Sequence, residues 1–142
     1  MLKILAFFVP VMVALFYFLG RPADSVANKP ISSKLEKLAS LPSPVSESSG
    51  VEFLVNKNAY VTHNDAGNRP HLYVVDKKGK LLETIELRLP NVDWEDLTRD
   101  DAGNLYIADT GNNHNKRREL AVYKLDINKP GNIEAIRFTY ED

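Results

Sequence analysis

The chain has 142 residues, a one-domain length, and its 18 basic and 19 acidic residues leave a net charge of -1. That balance gives no global field to recruit nucleic acid or an anionic surface, so no nucleic-acid partner is expected. The absence of cysteine excludes disulfides, thiolate metal sites, a cysteine nucleophile and an acylated N-terminal cysteine.

Lys3 is followed by the apolar run ILAFFVPVMVALFYFLG, with no charge before Arg21. Ile4 to Leu19 is shorter than the roughly 20 apolar residues that span a bilayer comfortably, and longer than the roughly 7 to 15 of a signal-peptide core. Small residues at Ser25 and Ala27 suit cleavage, while Arg21, Pro22 and Asp24 crowd that site. Residues 1–27 are therefore expected to be a signal peptide or an uncleaved membrane anchor. Either one places the remainder outside the cytoplasm, in the periplasm or cell envelope.

Residues 28–46 are rich in Ser and Pro and read as a tether interrupted by one short helix. Ser33 and Glu36 have capping-box spacing, and Leu35 and Leu38 share a face before Pro42 stops the turn.

From Glu47 onward, short β-prone runs alternate with Gly, Asn and Asp turns, and no helical periodicity survives. Strands are expected near Val51 to Val55, Ala59 to His63, Leu72 to Asp76 and Leu81 to Leu87. A second set is expected near Glu95 to Arg99, Asn104 to Ala108, Leu120 to Leu125 and Ile133 to Phe138. The sets also match in sequence: AYVTHNDAGN resembles LYIADTGN, pairing Tyr60 with Tyr106 and Asp65 with Asp109, and LYVVD resembles VYKLD, pairing Tyr73 with Tyr123.

A period in the forties with four strands per unit is the signature of a β-propeller blade. The fold expected for residues 47–142 is thus all-β, with about two four-stranded antiparallel blades in an incomplete ring. An ordinary meander or sandwich with similar hairpins is the alternative. In both, DKKGK (Asp76 to Lys80) and DDAGN (Asp100 to Asn104) are hairpin turns with glycine at positive φ.

Up-and-down blades sort their loops onto two faces. The segments around Glu47 and Asp93, which enter each first strand, share a face with the loops after the second strands, His63 to Asn68 and Asp109 to Asn113. The DKKGK and DDAGN turns go to the other face.

The gathered groups include Glu47, Ser48, His63, Asn64, Asp65, Asp93, Glu95, Asp96, Asp109, Asn112 and Asn113. Carboxylates and amides without thiols suit a hard divalent cation such as Ca2+, assembled from several loops because no linear calcium loop is present. For a hydrolytic reaction, crowded carboxylates raise one another's pKa, which makes Glu95 and Asp93 candidate bases, with His63 as a third. Ser48 and Ser49 lack a nucleophile-elbow context. Trp94 is expected to pack against a neighbouring blade, with ligand stacking as the alternative. Asn112 and Asn113 are the other ligand-binding candidates. The run NKRR (Asn115 to Arg118) reads as a solvated loop.

Taken together, ESSG, THNDAGNRPHLYVVDKKGKLLETIEL and VDWEDLTRDDAGNLYIADTGNN with the following VYKLD resemble exported bacterial β-propeller proteins of the SdiA-regulated and esterase-like phytase type. More distantly they are similar to NHL and strictosidine-synthase/gluconolactonase-like six-bladed propellers. The resemblance spans about Glu47 to Asp126. It implies a divalent cation, commonly calcium, near the central channel, with Glu47, Asp93, Glu95 and Asp109 as its metal positions, and it offers a metal-dependent phosphoester or lactone hydrolase as an activity. A six-bladed ring at this period needs roughly 250 to 300 residues, whereas Glu47 to Asp142 is 96. Two blades fit a truncated frame, the N-terminal piece of a longer protein whose further blades complete the ring, or a subunit that closes it by self-association.

Overall fold

The computed structural model describes residues 36–140. The N-terminal apolar segment, residues 1–27, and the Ser33 end of the expected linker helix lie outside the described residues. Within them, residues 36–47 carry turns and no helix. No helix among the described residues is long and apolar enough to cross a membrane.

Eight strands follow in chain order: β1 (Ser48–Leu54), β2 (Ala59–Asn64), β3 (His71–Val75), β4 (Leu81–Glu86), β5 (Trp94–Arg99), β6 (Asn104–Asp109), β7 (Leu120–Asp126) and β8 (Ile133–Phe138). They form two four-stranded antiparallel meanders, β1-β2-β3-β4 and β5-β6-β7-β8. The protein is all-β, and the arrangement is that of two propeller-like blades in an incomplete ring. The eight expected strands all form.

Alternation explains why these segments are strands and which way they face. In the first sheet Val61 pairs with Val74 and Leu72 with Ile85, all four buried. In the second, Leu97 pairs with Ile107 and Leu105 with Leu125, again all buried. These residues belong to a single hydrophobic cluster that also takes in Leu54, Leu87, Trp94 and Tyr123. Each fully buried aliphatic or aromatic side chain contributes roughly 1.5 to 3 kcal/mol.

The expected glycine turns close two of the hairpins. Gly79 (φ 77°) and Gly103 (φ 88°) each donate to the carbonyl of the turn's leading aspartate, Asp76 or Asp100, at 3.0 Å. Positive φ is what glycine supplies at no steric cost.

Adjacent first strands hold the sheets together. Ser49 Oγ donates to the Glu95 carbonyl at 3.0 Å, a Cβ on Gly50 would stand 2.5 Å from Leu97 N, and Glu52 lies 3.7 Å from Arg99. Contacts advancing together along both chains mean that β1 and β5 run in the same direction. Blades arranged about one axis require this.

Hydrogen bonds at the strand ends define the repeat. Glu47 N donates to Asn64 Oδ1 at 3.2 Å, and Asp93 N donates to Asp109 Oδ1 at 2.9 Å. Asp65 N donates to Glu47 O at 2.9 Å, and Gly111 N to Asp93 O at 3.1 Å. Glu47 thus corresponds to Asp93, Asn64 to Asp109 and Asp65 to Gly111. This corrects the sequence matching of Tyr60 with Tyr106 and of Asp65 with Asp109: in the second strand Tyr60 corresponds to Leu105. One residue of slip moves a side chain to the opposite face of its sheet. The Tyr73 and Tyr123 match stands, because Tyr73 pairs with Thr62 and Tyr123 with the corresponding Ile107.

Candidate acidic site at one end of the sheets

The loops sorted together by up-and-down connectivity do meet. The Asp65–Glu47 and Gly111–Asp93 backbone bonds tie each second-strand loop to its own entry segment. Asn91 Nδ2 bridges the two units by donating to the carbonyls of Asn64 (3.1 Å) and Asp65 (2.8 Å). That bond sets the Asp65 loop of the first unit beside Asp93 and Glu95 of the second.

Asp65, Asp93 and Glu95 each present a carboxylate oxygen within 4.8 Å of the others. None of the three forms an ion pair among the described residues. Gly111 makes room for two of them, since a Cβ there would collide with the carboxyl groups of Asp93 and Glu95. Burial raises the pKa of Glu95, and the neighbouring charges of Asp65 and Asp93 raise it further, against a smaller opposing effect from His63. Proximity without a counter-charge is what a hard cation relieves. The donor set, oxygen only and carried on three segments, suits calcium or a similar ion.

Other sequence-predicted residues stand elsewhere. Glu47 accepts a hydrogen bond from Asn68 Nδ2 at 2.5 Å and lies outside the three-carboxylate group. Asp109 lies outside it too. Fully buried, it forms an ion pair with Arg117, whose Nη1 is 2.8 Å from Oδ1, and it receives Asp93 N on the same oxygen. Arg117 is therefore no solvated loop residue, unlike its exposed neighbours Lys116 and Arg118. Asp96 is exposed and accepts from Leu97 N.

His63 is fully buried, with Nδ1 3.1 Å from the Asn64 carbonyl. A carbonyl only accepts, so Nδ1 carries a proton, and Nε2 has no hydrogen-bond partner among the described residues. Its ring meets Trp94 edge-on, with centroids 5.5 Å apart. Trp94 is likewise fully buried and donates Nε1–H to the Pro90 carbonyl at 3.1 Å. The indole therefore packs between the units and has no open face for a stacked ligand, which corrects the ligand-binding alternative. Asn112 is committed to its own loop, accepting from Lys116 N and Arg117 N and donating to the Arg117 carbonyl. Asn113 is exposed.

Sequence reasoning gathered Asp65 on the correct face without singling it out, and missed Gly111 and Arg117. The glycine of DTGNN was visible as a turn residue. Nothing in the sequence showed that its missing side chain makes space for two carboxylates.

No protein-family model, curated protein or solved structure matches this chain.

Proposed function

We propose that this chain is the propeller-like segment of an exported or membrane-tethered binding protein, and that Asp65, Asp93 and Glu95 bind a divalent cation, calcium by the chemistry of the donors. The observation that carries the reading is the convergence of three carboxylates with no basic partner. Mutual repulsion at that spacing costs free energy that a bound cation returns as affinity. The apolar run before Arg21 supports export or tethering, and the propeller resemblance is in keeping with a cation at this end of the sheets.

A second reading, a metal-dependent hydrolase of phosphoesters or lactones, is favoured by the raised pKa of Glu95, which moves that carboxylate toward the range of a general base. In that reading Asp93 is a metal ligand beside it. His63 is the weakest of the three catalytic candidates, because it is sealed from solvent.

Calcium titration by calorimetry, paired with thermal unfolding, tests the first reading. At a calcium concentration 100 times the dissociation constant, the folded state gains about 2.7 kcal/mol, and Glu95→Gln should remove most of that gain. No heat and no thermal shift would end the metal proposal. Turnover of generic phosphoester or lactone substrates, lost in Glu95→Gln, would select the enzyme.

A further inference from the structure

The outward face of the first sheet, turned away from the second, is only partly covered. Blades about one axis meet front to back, so this face is the counterpart of the one that the second sheet turns toward the first, with Tyr60 in the place of Leu105 and Val75 in that of Leu125. Residues 38–45 cross it: a Cβ on Gly79 would collide with the Ser40 carbonyl, Asn64 Nδ2 donates to the Pro44 carbonyl at 2.9 Å, and Val45 is buried. The crossing segment leaves a shallow concavity of about 340 Å³. Leu38, Leu41, Val51 and Tyr60 line it and are 77, 48, 61 and 38% exposed, so the segment does not seal the face and adds two leucines to it.

The turn Asp76 to Lys80 borders the same concavity. Lys77 Nζ stands 5.3 Å from the centroid of the Phe53 ring, Lys78 and Lys80 are exposed, and none of the three lysines forms an ion pair among the described residues. Asp76, the acid of the lining, is turned to its own loop, where it accepts from Lys78 N at 2.8 Å and Lys80 N at 2.9 Å. Three lysines against one aspartate leave this border positive. Neighbouring strands are antiparallel, so the turn after β3 lies at the end of the first sheet opposite the Asp65 loop, which follows β2.

Apolar side chains bordered by unpaired lysines match an anionic lipid surface, which takes leucine and aromatic groups at its acyl boundary and lysines at its headgroups. A further blade fits less well, because stacked sheets stand about 10 Å apart and residues 38–41 already occupy that depth. The sequence also puts a bilayer within reach. Residues 20–37 separate the apolar run from Leu38 and span at most about 60 Å.

We propose that this face is a docking surface for an anionic lipid bilayer, with Leu38, Leu41, Val51 and Tyr60 entering the headgroup layer and Lys77, Lys78 and Lys80 on the lipid phosphates. It rests on the tethered reading only for the nearness of the chain to a bilayer.

The full chain has no cysteine, so Val51→Cys and, as a control on the second sheet, Ile136→Cys each take a single nitroxide label. Accessibility to a water-soluble nickel chelate is read by electron paramagnetic resonance on vesicles of phosphatidylcholine, alone or mixed with phosphatidylglycerol, in calcium-free buffer. The Val51→Cys label should be about fivefold less accessible on the anionic vesicles, and the Ile136→Cys label equally accessible on both. Lys78→Gln with Lys80→Gln alters two exposed side chains and should restore most of the lost accessibility, since each lysine near an anionic leaflet contributes about fivefold. A Val51→Cys label equally accessible on both vesicles would overturn the docking, as would protection that survives the double lysine substitution. Protection in detergent without lipid, growing with protein concentration, would give the face to a second copy of the chain instead. Flotation reads the tether separately: a chain that floats with both vesicles while its Val51→Cys label stays accessible keeps the tether and loses the docking, and one that floats only with anionic vesicles, its label protected, supports the docking without the tether.

Discussion

Glu95 and Asp100, on one strand and the turn that ends it, titrate in opposite directions for opposite reasons. Glu95 has its pKa raised above 4.5 by burial and by two neighbouring carboxylates. The folded state therefore holds its proton more tightly than the unfolded chain, and ionised Glu95 works against the fold at pH values above that shifted pKa. Asp100 is lowered from 3.8 to about 2, first by the hydrogen bond from the Asn104 side chain and then by the Asn104 backbone and Tyr106. It contributes stability above pH 3.8 that is lost as pH falls toward 2. Urea midpoints measured across pH should separate the two. Asp100→Asn should lower stability at neutral pH, where the charged carboxylate's contribution is fully present, and flatten the acid limb below pH 3.8, whereas an unaltered acid limb would show that the turn does not depend on the charge. Glu95→Gln without calcium should be neutral or stabilising by up to about 0.5 kcal/mol at pH 7, the usual range for a substitution outside the core. In the wild type, calcium affinity should fall on acidification as protons compete for Glu95; affinity independent of pH down to 4.5 would separate the ion from this residue. The sequence already separated these two acids, because Asp100 leads a glycine turn and Glu95 enters a first strand. It offered no means of separating Asp109 from Asp93 and Glu95, since all three are acids on one face. What divides them is Arg117, eight residues beyond Asp109 in the sequence, folding back across its loop to make the ion pair.

At the scale of elements, two glycines set how closely segments approach, and they lead to different predictions. Gly50 sits where β1 passes β5, and a Cβ there would lie 2.8 Å from both the Asp96 carbonyl carbon and His63 Nε2. Gly50→Ala should force the strands apart and cost about 1 to 3 kcal/mol, read as a lower melting temperature. Gly111→Ala should push the Asp93 and Glu95 carboxyls from their positions and weaken calcium binding about tenfold or more. Gly131→Ala, with open space around it, is the control expected to change neither. Arg117→Ala leaves Asp109 buried and unpaired, so a loss of about 3 to 5 kcal/mol is expected; a loss below 1 kcal/mol would mean that solvent reaches Asp109 in solution. Elements were the most legible level of this chain, because period-two alternation and Asp/Gly turns are local properties. Correspondence between the two units was less so. Tyr60 and Tyr106 drew the match by identity, yet Tyr60 is partly exposed while Tyr106 donates to Asp100 Oδ2 at 2.9 Å. The true equivalence, Asn64 with Asp109, is marked by a shared backbone donor and not by a shared letter.

For the molecule as a whole, the core decides whether two blades behave as one folding unit. Leu105, Ile107 and Leu125 of the second sheet belong to the same cluster as Val61, Leu72 and Val74 of the first, and residues from Leu38 onward form one compact unit. A repeat array is held together by the interfaces between neighbours as well as by each repeat's own stability. If the interface between these sheets dominates, neither sheet outlives the other. Ile107→Ala removes a fully buried side chain from the second sheet and should cost about 2 to 5 kcal/mol. The informative measurement is hydrogen exchange at single amides in that variant. Val61 and Val74, in the other sheet, should lose protection by the same free energy as Leu105 and Leu125, and unfolding should remain a single transition. Retention of wild-type protection at Val61 and Val74 would mean that each sheet is stable by itself, and that the buried Trp94–His63 contact joins two independent units. In that case the three carboxylates, contributed by both sheets, would be held only as firmly as the joint. The cation would then stabilise the pairing of the sheets more than either sheet alone, and calcium would restore coupled exchange.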